Sequence, residues 1–509
     1  MILGYPDYAR EQRFEADVVV VGTGAGGAVV GSELAQAGFR VTFVEEGGWH
    51  PTQTFSAYTS ESVPRLYRDG GGTVILGKPP IPYVEGRCVG GSTVINGGMA
   101  YRAPDPILAG WARDTGAEEL SSKGLEPYFE QVEARVSARQ QRAESVGADN
   151  KIMREGSRRM GWNYSENPRN QQECVGSNNC VLGCPTGAKQ STLVTFMPTA
   201  MAAGARCLTE VRIDRLIIEG GRCVGVAGHA IDPVRMRRGV AVEVRANAVV
   251  IACGAIQTPH LLLKHKLSRQ SGQLGRNFLC HPNVKLIGLF PFDVKAWQGV
   301  SQVGQVREFH DEGIVLAENF IPPAAMATQL PMIGTKSWEV MQRYNQSIVG
   351  GCLVEDSTTG RVRRGPFDMA TATYNVTAHD HERFLKGARL LAEMWFAMGA
   401  EEVLLPFISL PSIRSADELG RIDPSRIRMS EVELFTPHLM GTARMGGRAE
   451  DSVIDVSGEL WDLPGCHVAD ASIFPTAIGV NPQITIMAMA MQIAGRIAEK
   501  RGLAAPKAA

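Results

Sequence analysis

The reading of the fold is carried by DVVVVGTGAGGAVVGSELAQAGFRVTFVEEGG, Asp17 to Gly48. Asp17–Val21 is a short β-branched run that stops at Gly22. GTGAGG follows, then AVVGSELAQAG with helical spacing closed by Gly38, then a second apolar strand, RVTFV, ending in acid. Strand, glycine turn, helix and strand in this order predict a βαβ unit of a parallel sheet. Gly22, Gly24 and Gly27 form G-x-G-x-x-G at the strand-to-helix junction. Glycine there lets the backbone turn tightly beside a pyrophosphate whose charge meets the helix N-terminus. Glu45 ends the second strand, placed to accept hydrogen bonds from ribose hydroxyls. The unit by itself leaves FAD and NAD both open.

Two later stretches extend this half. AVVIACGAIQTPHLLL, from Ala248, is another apolar strand running into a helix, and GCHVADASIFP leads to an apolar helix after Asn481. The nucleotide-binding domain is therefore expected to be discontinuous, assembled from three separated pieces. Between them, VKLIGLFPF, GIVLAENFI, SIVGGCLVE and ATATYNVT, from Val284 to about Thr377, alternate with turn-rich breaks and predict an antiparallel sheet. Asp380 to Met398 reads as a helix with Phe384, Leu391, Trp395 and Phe396 at helical spacing. The charged run near 235–239 reads as a solvated turn.

The 509 residues are 44% hydrophobic, enough for two structural domains in one body. With 52 basic and 53 acidic residues the formal net charge is −1, which gives no field to draw in nucleic acid. No stretch reaches the ~20 apolar residues of a membrane span. Charges interrupt the start where a signal peptide needs its apolar region. The expected compartment is the cytoplasm, or the periplasm if the chain is exported with a partner.

GRCVGGSTVINGGMAYRAP (86–104) resembles the first signature of the glucose–methanol–choline (GMC) FAD-dependent oxidoreductases, and ACGAIQTPHLLL (252–263) the second. GRNFLCHPN resembles the segment after it, and HLMGTARMG (438–446) and VADASIFPTAIGVNPQITIMAMA (468–490) the C-terminal active-site blocks. The resemblance runs through the whole chain in the family's order. It implies an α/β fold, a discontinuous Rossmann-like FAD-binding domain plus a substrate domain of antiparallel sheet and helices. The segments are 1–105, 195–283 and 431–509 for the FAD domain, 284–430 for the substrate domain, and 106–194 for substrate-domain and lid elements with a cysteine cluster.

Carried over residue by residue, the resemblance implies FAD contacts at Gly22, Thr23, Gly24, Ala25, Gly26, Gly27 and Glu45. In the first signature they fall at Arg87, Gly91, Ser92, Asn96, Gly97, Gly98 and Met99. Later in the chain they fall at Val211, Ala252, Asp470, Ala471, Asn481, Pro482 and Gln483. No histidine stands in the first signature, so the FAD is expected to be non-covalent. His438 is where the family has its catalytic histidine. Asn481, where it has a second His or Asn, would hold the substrate oxygen. His281 reads as a structural residue near the domain boundary.

The implied reaction is oxidation of a CH–OH group, in a sugar or an aryl or aliphatic alcohol, by hydride transfer to flavin with His438 as base. The alternatives are an oxygen-using alcohol or sterol oxidase making hydrogen peroxide, and a non-catalytic flavin electron-transfer subunit. Cys174, Cys180 and Cys184, spaced C-x5-C-x3-C before Pro185, provide three thiolates of the kind that ligate iron–sulfur clusters. This spacing resembles bacterial FAD-dependent sugar dehydrogenases and implies a [3Fe–4S] cluster and an electron-accepting cytochrome subunit. A disulfide, a zinc site and free thiols are the other readings.

Overall fold

The computed structural model describes residues 1–319 and 321–500, so the last nine positions of the 431–509 segment lie outside the described residues. The strand expected at 17–21 runs over Gln12–Val21. Its first half is held by a partner, because Gln12–Ala16 pairs in parallel with Val242–Ala246 of the long strand Arg238–Ile251. Val41–Val44 flanks it on the other side, followed by Arg206–Leu208 and Ile2–Leu3, all parallel. The C-terminal half of Arg238–Ile251 pairs in parallel with Cys466–Val468. One sheet thus draws strands from three distant parts of the chain, as the sequence pattern anticipates.

An antiparallel hairpin, Val211–Glu219 and Arg222–Ile231, completes this sheet and is absent from the sequence reading. Its turn is Gly220–Gly221, both at positive φ (56° and 76°), the backbone that a tight hairpin requires. The charged run after it is exposed, and Arg238 already belongs to the next strand.

The helix Gly27–Gln36 packs on this sheet and on the C-terminal helix Gln483–Lys500, whose residues are almost all buried. Gly31 of the first helix lies on the ring of Phe43, and a β-carbon there would come within 2.2 Å of it. Among the described residues no helix is long and apolar enough to cross a membrane.

The second sheet is antiparallel throughout. Its order is Ser412–Ile413, Glu402–Leu404, Asn283–Leu289, Ser347–Val354, Ile314–Asn319, Gly304–Val306 and Tyr164–Glu166. The helix Ala378–Ala397 covers one face. Phe384, Leu391 and Trp395 are buried there, whereas Phe396 is only partly so. Gly288 and Gly350 lie under Trp395, where added β-carbons would meet the indole at 2.9 and 2.7 Å. Strand residues alternate between faces, so Val284, Leu286 and Cys352 meet the helix while Asn283, Lys285 and Leu353 turn to a cavity.

Gly31→Ala forces a methyl group into the Phe43 ring, and overpacking of this kind typically costs about 1–3 kcal/mol. A lowered thermal midpoint is the expected result; a variant melting with the parent would show that Phe43 turns aside freely.

Candidate active site

A cavity of about 1280 Å³ lies between the two sheets. Its nucleotide-half wall begins at the glycine turn, where each glycine is needed for a different reason. Gly22 has φ +99°, and a β-carbon on it would lie 2.2 Å from the carbonyl oxygen of Ala252. A β-carbon on Gly26 would fall 1.7 Å from the Ala469 oxygen, and one on Gly27 would fall 2.1 Å from the Gly22 oxygen. Gly24 has nothing within 4 Å. The first three glycines therefore let chain segments touch, and Gly24 leaves space for a ligand. This fits a dinucleotide whose pyrophosphate approaches the backbone.

Glu45 lines the cavity, but its carboxylate also holds the turn. Its Oε2 accepts from the Thr23 amide (3.0 Å) and hydroxyl (2.7 Å), and its Oε1 from the Gly47 amide (2.9 Å). Oε1 retains a lone pair that a ribose hydroxyl can use. Glu46, not singled out by sequence, also lines the cavity and pairs with Arg68 at 3.0 Å; Arg68 also meets Glu85 at 3.2 Å. Burial alone would raise the Glu46 pKa, yet Arg68, with Arg212 and Arg87, holds it well below the usual carboxylate range.

Gly91, Ser92, Asn96, Gly97, Gly98 and Met99 form the adjoining wall. A β-carbon on Gly91 would come 2.9 Å from the α-carbon of Gly24, so this segment is pressed against the glycine turn. Asn96 bridges outward: Nδ2 donates to Gln483 Oε1, and Oδ1 accepts from the Gly98 amide. Buried Lys189 donates from Nζ to the carbonyls of Val94, Asn96 and Cys180, tying this wall to the cysteine-containing loop.

His438 and Asn481 meet at the cavity, with Asn481 Nδ2 3.0 Å from His438 Nε2. The amide is a donor, so Nε2 is the acceptor and the ring proton sits on Nδ1, which is buried without a partner. Burial, and then the nearby His281, push the His438 pKa down from 6.5 to about 3. The imidazole is thus neutral across the physiological range. Behind it, out of the cavity, the ring of buried His281 lies edge-on with centroids 6.0 Å apart. His281 Nε2 accepts from the Gly479 amide at 3.3 Å. Thr436 fixes the segment by bonding the Cys280 carbonyl and receiving the His438 amide.

Thr23, Ala25, Gly26, Val211, Ala252, Asp470, Ala471, Pro482 and Gln483 also line the cavity. Asp470 is buried and accepts from the Gly254 and Ser472 amides and the Thr258 hydroxyl, so its carboxylate ties two helical turns together. Two expected contacts fall outside the lining. Gly27 packs beneath the turn, and Arg87 reaches Met236 Sδ.

The expected three-thiolate site is not formed. Among the described residues no group of three or more His, Cys, Asp or Glu side chains is gathered as a metal site. The physical reason is that Cys180 and Cys184 face different partners and Cys174 joins neither. Cys180 lines the cavity and takes a hydrogen bond from Arg169, Cys184 turns to Thr186 and the Lys189 amide, and Cys174 stands apart from the cavity.

The sequence matches the GMC oxidoreductase family over residues 63–283 and again over 356–490. It is 34% identical over 489 residues to a GMC-type oxidoreductase of Mycobacterium tuberculosis, covering 95% of this chain and 76% of that one. A long-chain-alcohol oxidase of Arabidopsis thaliana is 29% identical over 521 residues, covering 96% of this chain and 67% of the other. Among solved structures, a point mutant of Aspergillus oryzae formate oxidase aligns with a TM-score of 0.70 at 16% identity, over 96% of this chain and 99% of that one. Pyridoxine 4-oxidase aligns with a TM-score of 0.68 at 19% identity, over 94% and 98%. These structures share the fold.

The glycine geometry separates two variants. Gly24→Ala is expected to fold with the parent's stability but bind FAD more weakly, since only its methyl enters the ligand's space. Gly26→Ala is expected to lose stability as well, because its methyl meets the Ala469 carbonyl. Flavin content and thermal midpoints of the two proteins check this; equal effects on both readouts would contradict it.

Proposed function

The chain belongs to the GMC oxidoreductase family, and we propose that it oxidises an alcohol carbon to a carbonyl, with His438 taking the hydroxyl proton. The observation that carries this reading is the 3.0 Å contact of Asn481 Nδ2 with His438 Nε2 at the cavity wall. FAD, bound without a covalent link, supplies the hydride acceptor.

The residues divide the remaining work. His438 presents a neutral Nε2 lone pair, the form a base needs. Asn481 presents an amide donor beside it. A substrate hydroxyl set against both donates to Nε2 and accepts from Nδ2, so one pair of side chains receives the proton and fixes the oxygen. Alignment of this kind is itself a large part of catalysis. His281 and Thr436 act through His438, by packing and by holding its backbone. Lys189 and Asn96 steady the wall along which the flavin ring would lie.

Molecular oxygen is the acceptor this reading favours, supported by the Arabidopsis relatives named long-chain-alcohol oxidases. The likeness to sugar dehydrogenases and the cytochrome partner rest on the cysteine spacing, and neither is retained. The test is an anaerobic screen of alcohols for bleaching of the flavin absorbance, followed by mixing with oxygenated buffer and assay of hydrogen peroxide. Flavin that no alcohol reduces would defeat the proposal.

His438→Ala is expected to slow flavin reduction about 10²–10⁴-fold with FAD content unchanged, and Asn481→Ala to cost less. The depressed His438 pKa gives a second expectation. A base with a lowered pKa stays neutral above it and is lost only as pH falls through it. With a value of about 3 in place of 6.5, the rate of flavin reduction should be nearly the same at pH 5 and pH 7. A tenfold fall at pH 5 would show that the imidazole titrates normally.

A further inference from the structure

The strand Asn283–Leu289 is apolar on its helix side, yet it carries a lysine on the other. Lys285 lines the cavity from the substrate-sheet wall, where it is partly buried. Its ammonium sits 4.1 Å above the Phe435 ring. Burial is the sole influence on its pKa, lowered to about 8, so no carboxylate among the described residues lies close enough to offset the charge. Glu433 also lines the cavity, but burial alone shifts it, so it is not the missing partner.

The sheet register adds a second donor. Lys285 pairs with Gly351, Gly351 with Ala317, and Gln305 follows on the next strand beside Ala317. Gln305 is 3% exposed, lines the cavity, and its Nε2 is buried without a partner. Two long donors therefore flank the two smallest side chains of one row, which makes a polar trough in the sheet. Ile321, Pro322, Ile408 and Leu434 line the cavity together with polar Asn283, Asn319 and Glu433, and a β-carbon on Gly351 would lie 3.1 Å from the Asn319 amide nitrogen. A buried cation is costly unless paired, and one aromatic face offsets only part of that cost.

We propose that Lys285 and Gln305 bind an anionic group of the substrate, and that the alcohol oxidised at His438 carries a carboxylate. The hydroxyl end of this statement rests on the alcohol-oxidation reading above, and the carboxylate end on the cavity alone. Lys285 contacts Phe435, which precedes His438 by three residues, a chain span of at most about 11 Å. The carboxylate and the reacting carbon are therefore separated by a short or medium chain.

The experiment compares ω-hydroxyalkanoates of four to ten carbons with 1-alkanols of equal length, by anaerobic flavin reduction. The alkanoates, which cannot be oxidised at an alcohol, are titrated separately while the visible spectrum of the bound flavin is followed. At least one hydroxyalkanoate should show kcat/KM about 30-fold or more above its alkanol. In Lys285→Met that ratio should fall to near one, and Lys285→Arg should keep most of it. Alkanoates should perturb the flavin spectrum saturably in the parent and in Lys285→Arg, but not in Lys285→Met. Lys285→Met should melt no lower than the parent, because it removes a partly buried charge that has no carboxylate partner. Equal rates for both series in the parent, or a preference that survives Lys285→Met, would overturn the proposal. Alkanoate binding that depends on Lys285, with no alcohol reducing the flavin, would uphold the anion site and defeat the alcohol reading instead.

Discussion

Everything in this molecule depends on how closely three distant pieces of backbone meet at one turn. Gly22 lies against the Ala252 carbonyl, Gly26 against the Ala469 carbonyl, and Gly91 against the Gly24 backbone, each of these three closer than its own β-carbon would allow. These contacts bring the ends of two parallel strands and the first signature segment to one point. Buried Asp470 and Glu45 then secure it with hydrogen bonds to neighbouring backbone amides. The cavity exists because glycine permits this approach and because Gly24 is left uncovered.

The second sheet does its part by having two unlike faces. Small residues under Trp395 seat a long helix on one side, and that apolar contact orients the sheet. Because strand side chains alternate, the opposite face is free to carry polar groups without disturbing the core. Asn283, Lys285 and Gln305 stand on that face and line the cavity. His438 lies where the two halves join, on a segment that pairs with Cys280–Asn283 through Thr436 and the Phe435 backbone. Its neutral state follows from burial beside His281, so the same packing that fixes the ring also sets its protonation.

The cysteine loop shows the limit of spacing as a guide. C-x5-C-x3-C is a pattern along the chain, whereas a metal site is a pattern in space. Asn178, at φ +52°, and Gly183, at φ +87°, bend the loop so that Cys180 meets Arg169 while Cys184 meets Thr186 and the Lys189 amide. Lys189 matters more to the fold than the cysteines do, because its ammonium gathers carbonyls from two segments. No motif marks that lysine. Its role follows from carbonyls almost a hundred residues away in sequence.

The sequence by itself determined the βαβ unit, the discontinuous nucleotide half, the antiparallel second sheet and the His438–Asn481 pair. Those features are local: hydrophobic period, glycine turns and motif blocks are all written within a few tens of residues. The hairpin at Val211–Ile231 is also local, and Gly220–Gly221 is its mark in the sequence. Tertiary structure alone decided that Glu45 clamps the glycine turn, that Glu46 pairs with Arg68, that His281 backs His438, and that Lys285 and Gln305 face one cavity. The physical reason is that burial and partnership are properties of neighbours in space. A lysine in an apolar strand reads the same in sequence whether it meets solvent, a carboxylate or an empty trough.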